Sequence, residues 1–251
     1  GDYELQLVAA EPLVCDPADV VWDERGRMFV AEMRDYPFPP EHGPRLGRIR
    51  LLEDRDGDGK MDHARTWAEN LKDVQGMLCF DGGLLLTSRE GLLFLKDTND
   101  DGVADQRTPL YTTNTPQHSQ LQLASPRWRL DNTIHLNNGI NGKEIHPVGK
   151  PAEKLTYGGF NLVYDPRTGK LRKESGVGQF GATLDDFGRV FFCSNRNPAM
   201  LEVLPRALAD RNPFAGFAAT HENIQESAAR VYPLELSHTT SVAHAGTHTS
   251  A

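Results

Sequence analysis

Apolar residues in this chain gather in runs of four to six, and no run keeps the i, i+3, i+4 spacing of a helix over helical length. The 23 glycines and 16 prolines punctuate these runs, so the pattern predicts short strands joined by turns. Four segments repeat one motif: a polar turn holding Gly or Asn, a strongly apolar strand, then small polar residues. They are Asp23–Glu32, Phe80–Ser88, Leu130–Asn138 and Asp185–Asn195. Measured from Gly26, Gly82, Asn132 and Gly188, the spacings are 56, 50 and 56 residues. In the first three units a further strand follows and ends in Asp, as Leu51–Asp54, Phe94–Asp97 and Leu162–Asp165; the fourth has only Met200–Leu204 as counterpart. Two hairpins per unit at this period are the signature of a β-propeller, with one four-stranded blade per unit.

The expected fold is therefore all-β, a single propeller domain over residues 1–251 with blades near 12–70, 71–124, 125–177 and 178–235. Beyond the fourth unit stand Val231–Leu234 and a Thr/His/Ser-rich tail, which read as the entry to a fifth blade cut short. On that reading the chain is part of a six- or seven-bladed ring, and the reading fails if the fourth blade packs against the first. Helix candidates are confined to residues 205–210 and 223–230.

Two nine-residue acidic loops add chemistry at equivalent points of the first two units. Asp54, Asp56, Asp58 and Asp62 occupy positions 1, 3, 5 and 9 of the first, with Gly59 at the bend and the Lys60 carbonyl at position 7. Asp97, Asn99, Asp101 and Asp105 match them in the second, with Gly102 and the Val103 carbonyl. Oxygen ligands at this spacing form the cage that Ca²⁺ takes. Position 12, where an EF-hand carries its bidentate Glu, is Arg65 in one loop and Thr108 in the other, and the flanks read as strands, so neither loop is an EF-hand. The competing reading is a pair of Asp/Gly turns that bind nothing.

Composition narrows the partners. A net charge of −8 and a pI near 5.6, without a run of Lys and Arg, argue against nucleic acid. No apolar stretch approaches 18 residues, so no membrane span is expected. The chain opens on Gly1, so any signal peptide is taken to have been removed already. Cys15, Cys79 and Cys193 read as buried thiols, the latter two in corresponding strands too far apart to be bridged. Weak calcium loops fill where calcium is abundant, which places the chain in the periplasm or outside the cell.

The stretches Leu5–Leu13 and Asp16–Tyr36 resemble the N-terminal domain of large bacterial proteins labelled membrane-bound dehydrogenases. Gly159–Gly169, Ser175-Gly176, Gln179–Gly181, Asp185–Gly188 and Asn195–Pro198 resemble the same family's second hallmark. Its propeller is similar to soluble quinoprotein glucose and sorbosone dehydrogenases, and is commonly followed by helical repeats and a haem-binding Cys-x-x-Cys-His module, neither of which occurs here. The resemblance implies oxidation of a sugar or alcohol by hydride transfer to pyrroloquinoline quinone, with His118 as general base. The competing reading for His118 is a solvated loop residue. Quinoproteins hold the tricarboxylate cofactor with arginines, for which Arg127, Arg129 and Arg196 are the candidates here; each could equally pair with a surface acid. The rival to an enzyme is a non-catalytic propeller that binds glycan or a partner protein and positions a separate redox module, such as a cytochrome c. Among other features, Trp22 and Trp67 read as packing residues and Trp128 as an exposed sugar-stacking face. His238, His244 and His248 offer a thin metal set that no Cys or carboxylate completes.

Overall fold

The computed structural model describes residues 3–37, 40, 42–113, 119–212, 214 and 220–224. Eighteen strands run in chain order within these residues. The first sheet is β1 (Pro17–Trp22), β2 (Met28–Glu32), β3 (Gly47–Glu53) and β4 (His63–Leu71), an antiparallel meander. The second begins as β5 (Gly76–Phe80), β6 (Gly83–Ser88), β7 (Gly91–Lys96) and β8 (Gln106–Thr113). The third joins β9 (Ala124–Trp128), β10 (Ile134–Asn137), β13 (Asn161–Asp165) and β14 (Lys170–Glu174). Between β10 and β13 the chain leaves its own sheet. There β11 (Glu144–Pro147) and β12 (Leu155–Thr156) pair onto β8 and extend the second sheet to six strands. The fourth sheet is β15 (Ala182–Leu184), β16 (Val190–Phe192), β17 (Met200–Glu202) and β18 (His221–Asn223). The helical pieces described are a 3-10 turn at Pro151–Glu153 and α1 (Arg206–Ala209), the latter inside the 205–210 candidate; of the other candidate, Asn223 ends β18, Ile224 follows in a bend, and residues 225–230 lie outside the described residues.

The motif turns share one construction. Asp23 and Asp185 each open a turn and accept two backbone N–H groups on one carboxylate oxygen, from Arg25 and Arg27 and from Phe187 and Arg189. Gly26, Gly82, Asn132 and Gly188 all sit at positive φ, between 61° and 77°, which is why Gly or Asn recurs there.

Each central strand is buried on both faces because its alternate side chains enter different cores. Met28 and Val30 pack beneath the N-terminal segment with Val8 and Leu13, whereas Phe29 and Ala31 face the second sheet with Trp67, Leu84 and Leu86. Leu85 points the other way, toward Ile134, Leu136 and Leu162 of the third sheet. The first strands adjoin in series, β1 beside β5, β5 beside β9 and β9 beside β15. No hydrophobic core among the described residues joins the fourth sheet to the first. The described residues form four blades of a β-propeller, with β1, β5, β9 and β15 as the inner wall.

Two expectations need correction. Trp22 lies in β1 as expected, but 54% of it is exposed and it packs little, whereas Trp67 is buried. The three cysteines are free and only partly buried. Cys79 is in the first strand of its sheet and Cys193 just past the second strand of another, so their positions do not correspond.

Candidate functional site

The acidic loops connect β3 to β4 and β7 to β8, away from the inner wall, and they are built alike. The position-1 carboxylates of Asp54 and Asp97 accept the N–H of Gly59 at 2.9 Å and of Gly102 at 2.8 Å. The position-5 carboxylates of Asp58 and Asp101 accept from Lys60 at 2.8 Å and Val103 at 2.9 Å. Position 9 accepts from position 2 in both, Arg55 to Asp62 and Thr98 to Asp105. Gly59 and Gly102 take φ of 87° and 86°, a conformation a side chain would strain. The Gly59 N–H foremost lowers the pKa of Asp54, and the Thr98 hydroxyl that of Asp105, so both are anionic at neutral pH.

The loops differ in how their charge is balanced. Asp54, Asp56 and Asp58 bring carboxylate oxygens within 4.8 Å of one another, and Lys60 lies 4.0 Å from Asp58. Like charges this close repel unless a cation sits among them. In the second loop Arg25 pairs with Asp100 at 3.0 Å and Arg65 donates to the Asp101 carbonyl at 3.0 Å. Arg65 therefore braces the neighbouring loop from position 12 of its own. The donor set is all oxygen, carboxylate-rich and open to solvent, which fits a hard cation of variable coordination such as Ca²⁺.

The inner wall carries the second candidate. A cavity of about 170 Å³ lies between β1, β5 and β9, lined by Asp19, Gln75, Ser125, Arg127 and Phe180. Asp19 accepts the Met77 N–H at 2.7 Å and lies 3.9 Å from Arg127; its burial, opposed by these partners, raises its pKa. Gln75 donates from its amide to the Ser119 carbonyl at 2.6 Å, and Arg89 to the Ser119 hydroxyl at 2.8 Å. His118 itself lies outside the described residues, as do His238, His244 and His248.

The three candidate arginines are not brought together. Arg127 donates to the carbonyls of Ala182 at 3.1 Å and Pro126 at 2.8 Å. Arg129 makes a bidentate pair with buried Glu202, both contacts at 3.5 Å. Arg196 is exposed in the turn after β16. As arranged, these residues do not form a tricarboxylate cradle.

Sequence reasoning missed the polar seam between the third and fourth sheets. His135 and Asn137 face it from β10, Glu174 from β14 and Glu202 from β17, all buried. The signal was present in β10, where Ile134 and Leu136 alternate with these polar residues, as two faces of different character require.

Fold and loops together define a propeller with paired acidic turns on its outer hairpins. The chain belongs to the family of the domain of unknown function DUF7133, whose match spans residues 1–251. None of the curated proteins matches it in sequence. Among solved structures it is similar to a crystal structure of an oxidoreductase described as a glucose dehydrogenase from Thermus thermophilus. That similarity has 14% identity and a TM-score of 0.40, and covers 75% of this chain and 79% of the other. Likeness at that level carries no weight for substrate or chemistry. Among the described residues no helix is long and apolar enough to cross a membrane.

Proposed function

We propose that the chain is an exported, calcium-stabilised propeller that handles a sugar or polyol within a dehydrogenase-type protein. The observation that carries the calcium part is the shared build of the loops around Asp54 and Asp97, with three carboxylates converging in the first. Asp54, Asp56, Asp58, Asp62 and the Lys60 carbonyl would hold the ion there; Asp97, Asn99, Asp101, Asp105 and the Val103 carbonyl form the weaker site, being already braced by Arg25 and Arg65. Exposed loops of this kind fill in calcium-rich compartments, which supports the periplasm or the exterior as location.

Calcium at about one hundred times its dissociation constant should stabilise the fold by about 2.7 kcal/mol, raising the melting temperature by roughly 5–10 °C. Chelation should reverse that shift, and Asp56→Ala should remove most of it while Asn99→Ala removes little. A melt indifferent to calcium would sink the assignment.

The redox reading places the reacting centre at the inner wall. Ser119, the residue after His118, is fastened to Gln75, which lines the wall cavity. A pyrroloquinoline quinone would supply hydride acceptance, but Arg127 and Arg129 as arranged do not fit it. The commitment of Arg127 to Ala182 and Pro126, and of Arg129 to Glu202, favours the second reading, a binding propeller that positions a separate redox module such as a cytochrome c. Dye reduction with aldoses separates the two. On the redox reading, added quinone and calcium support reduction and His118→Ala abolishes it. On the binding reading, no reduction occurs and sugar binding persists in His118→Ala.

A further inference from the structure

A cleft lined by both aromatic and charged side chains lies away from the inner-wall cavity, on the face that carries the motif turns. It has a volume of about 400 Å³, within the range of small-molecule sites. Its floor is the aromatic layer of Phe29, Trp67 and Phe80, and its rim comprises the Asp23–Arg27 turn, the Asp81-Gly82 turn and the start of the second acidic loop. Trp128 reaches in from the third sheet.

The geometry points to a binding site for a neutral saccharide, with the Trp128 indole as its stacking surface. This inference rests on the binding reading above, and not on the redox reading of the inner wall. Trp128 is 40% exposed yet held in place. Its ring nitrogen donates to the Cys79 carbonyl at 3.4 Å, and its ring lies 6.0 Å from that of Phe80, which in turn meets Phe94 edge-on at 5.6 Å. An indole fixed with a wet face presents an apolar plane of the kind a pyranose ring covers.

The charges around it select the ligand. Arg25 pairs with Asp100 at 3.0 Å, and Arg27 with Asp23 at 2.7 Å while its guanidinium lies over the Phe29 ring. Lys96 donates to the Asp81 carbonyl at 2.7 Å and its ammonium lies 3.6 Å from the Asp81 carboxylate. Each cation is thus matched to an anion, and the pairs keep exposed atoms. With Asp97 left to its calcium loop, acidic side chains in the lining still outnumber basic ones by four to three, which disfavours an anion. A fully apolar ligand would strip water from these pairs without replacing it. Hydroxyl groups donate to Asp81 and Asp100 and accept from Arg25 and Lys96, so a neutral polyhydroxyl chain satisfies both signs at once. The Cys79 thiol beside the cleft is pushed up to about 11, chiefly by burial, so it stays protonated and unreactive.

Calorimetric titration of the whole chain with maltotetraose, cellotetraose, xylotetraose and tetragalacturonate tests this. At least one neutral tetrasaccharide should bind and tetragalacturonate should not. Trp128→Ala should weaken that binding about tenfold, and Arg25→Ala should weaken it with the melt unchanged. Arg25 is more than half exposed, so it carries the test should Trp128→Ala fail to fold. Absence of neutral-sugar binding, preference for tetragalacturonate, or affinity unchanged in the folded variants would overturn the site. A chain that reduces no dye but shows these losses contradicts only the redox reading.

Discussion

Arg129→Ala should destabilise the protein by about 3–5 kcal/mol, the cost typical of removing one partner of a buried ion pair. The side chain of Glu202 is 4% exposed and that of Arg129 11%, so water does little to stabilise a stranded carboxylate. Burial foremost raises the pKa of Glu202, Arg129 lowers it, and the nearby carboxylate of Glu174 raises it further. Without the guanidinium, Glu202 must ionise beside Glu174 or hold a proton. The loss should therefore be larger at pH 8 than at pH 5, where the neutral acid tolerates the seam. Replacing both partners, as Arg129→Met with Glu202→Gln, should recover much of the stability, since the cost lies in the unpaired charge. Urea unfolding of the parent and these two variants at both pH values measures all of this. An Arg129→Ala protein that unfolds like the parent but loses sugar or cofactor affinity would instead make Arg129 a ligand-binding residue.

What could be read beforehand was what local chemistry dictates. Asp23-Glu-Arg-Gly-Arg27 and Asp185-Asp-Phe-Gly-Arg189 form the same turn because the same carboxylate collects the same backbone donors and the same glycine supplies positive φ. The acidic loops were legible for the same reason, as the bonds from their own carboxylates to their own backbone span seven residues or fewer, whereas the braces from Arg25 and Arg65 were not. Features made by distant segments were not. The pairing of Ile145 with Thr113 joins the third repeat to the second sheet, and no property of Glu144–Pro147 names its partner. Protecting the edge strand β8 is the physical gain from that exchange.

The cleft shows the same limit in functional terms. The sequence marks Trp128 as an exposed stacking face and puts Asp100 in an acidic loop, but only the packing of three sheets places them with Asp81 around one space. The candidate arginines illustrate the converse: Arg127 and Arg129 stand two apart on the same stretch, as a carboxylate fork would want. Yet one is spent on β15 backbone and the other on Glu202. The family resemblance and the residue type nominated them, and the partners the fold gives them lie across the seam.

His135 turns that seam into an acid limit on the fold. Its Nε2 lies 2.9 Å from the Asn137 side-chain oxygen, whose amide nitrogen donates onward to the Phe180 and Gly181 carbonyls, so Nε2 carries the proton. Nδ1 is buried with no hydrogen-bond partner among the described residues. Protonation would put a cation in full burial with an unanswered N–H. Desolvation foremost lowers the pKa to about 4, with Arg129 and Arg127 adding to the fall, while Asn137 and Glu174 oppose it. In the unfolded chain a histidine titrates near 6.5, so between these values the unfolded state binds more protons and stability rises with pH. The contribution is complete above about pH 6.5 and lost as pH falls through about 4, a total of about 3 kcal/mol, of which about 2 kcal/mol disappears between pH 7 and pH 5. The raised pKa values of Glu202 and Asp19 act in the opposite sense, because those groups hold protons more tightly when folded. Comparison with His135→Gln isolates the histidine. The parent should lose about 2 kcal/mol more than the variant in urea melts taken at pH 7 and pH 5. Parallel losses in the two proteins would show that His135 is already solvated or charged in the folded state.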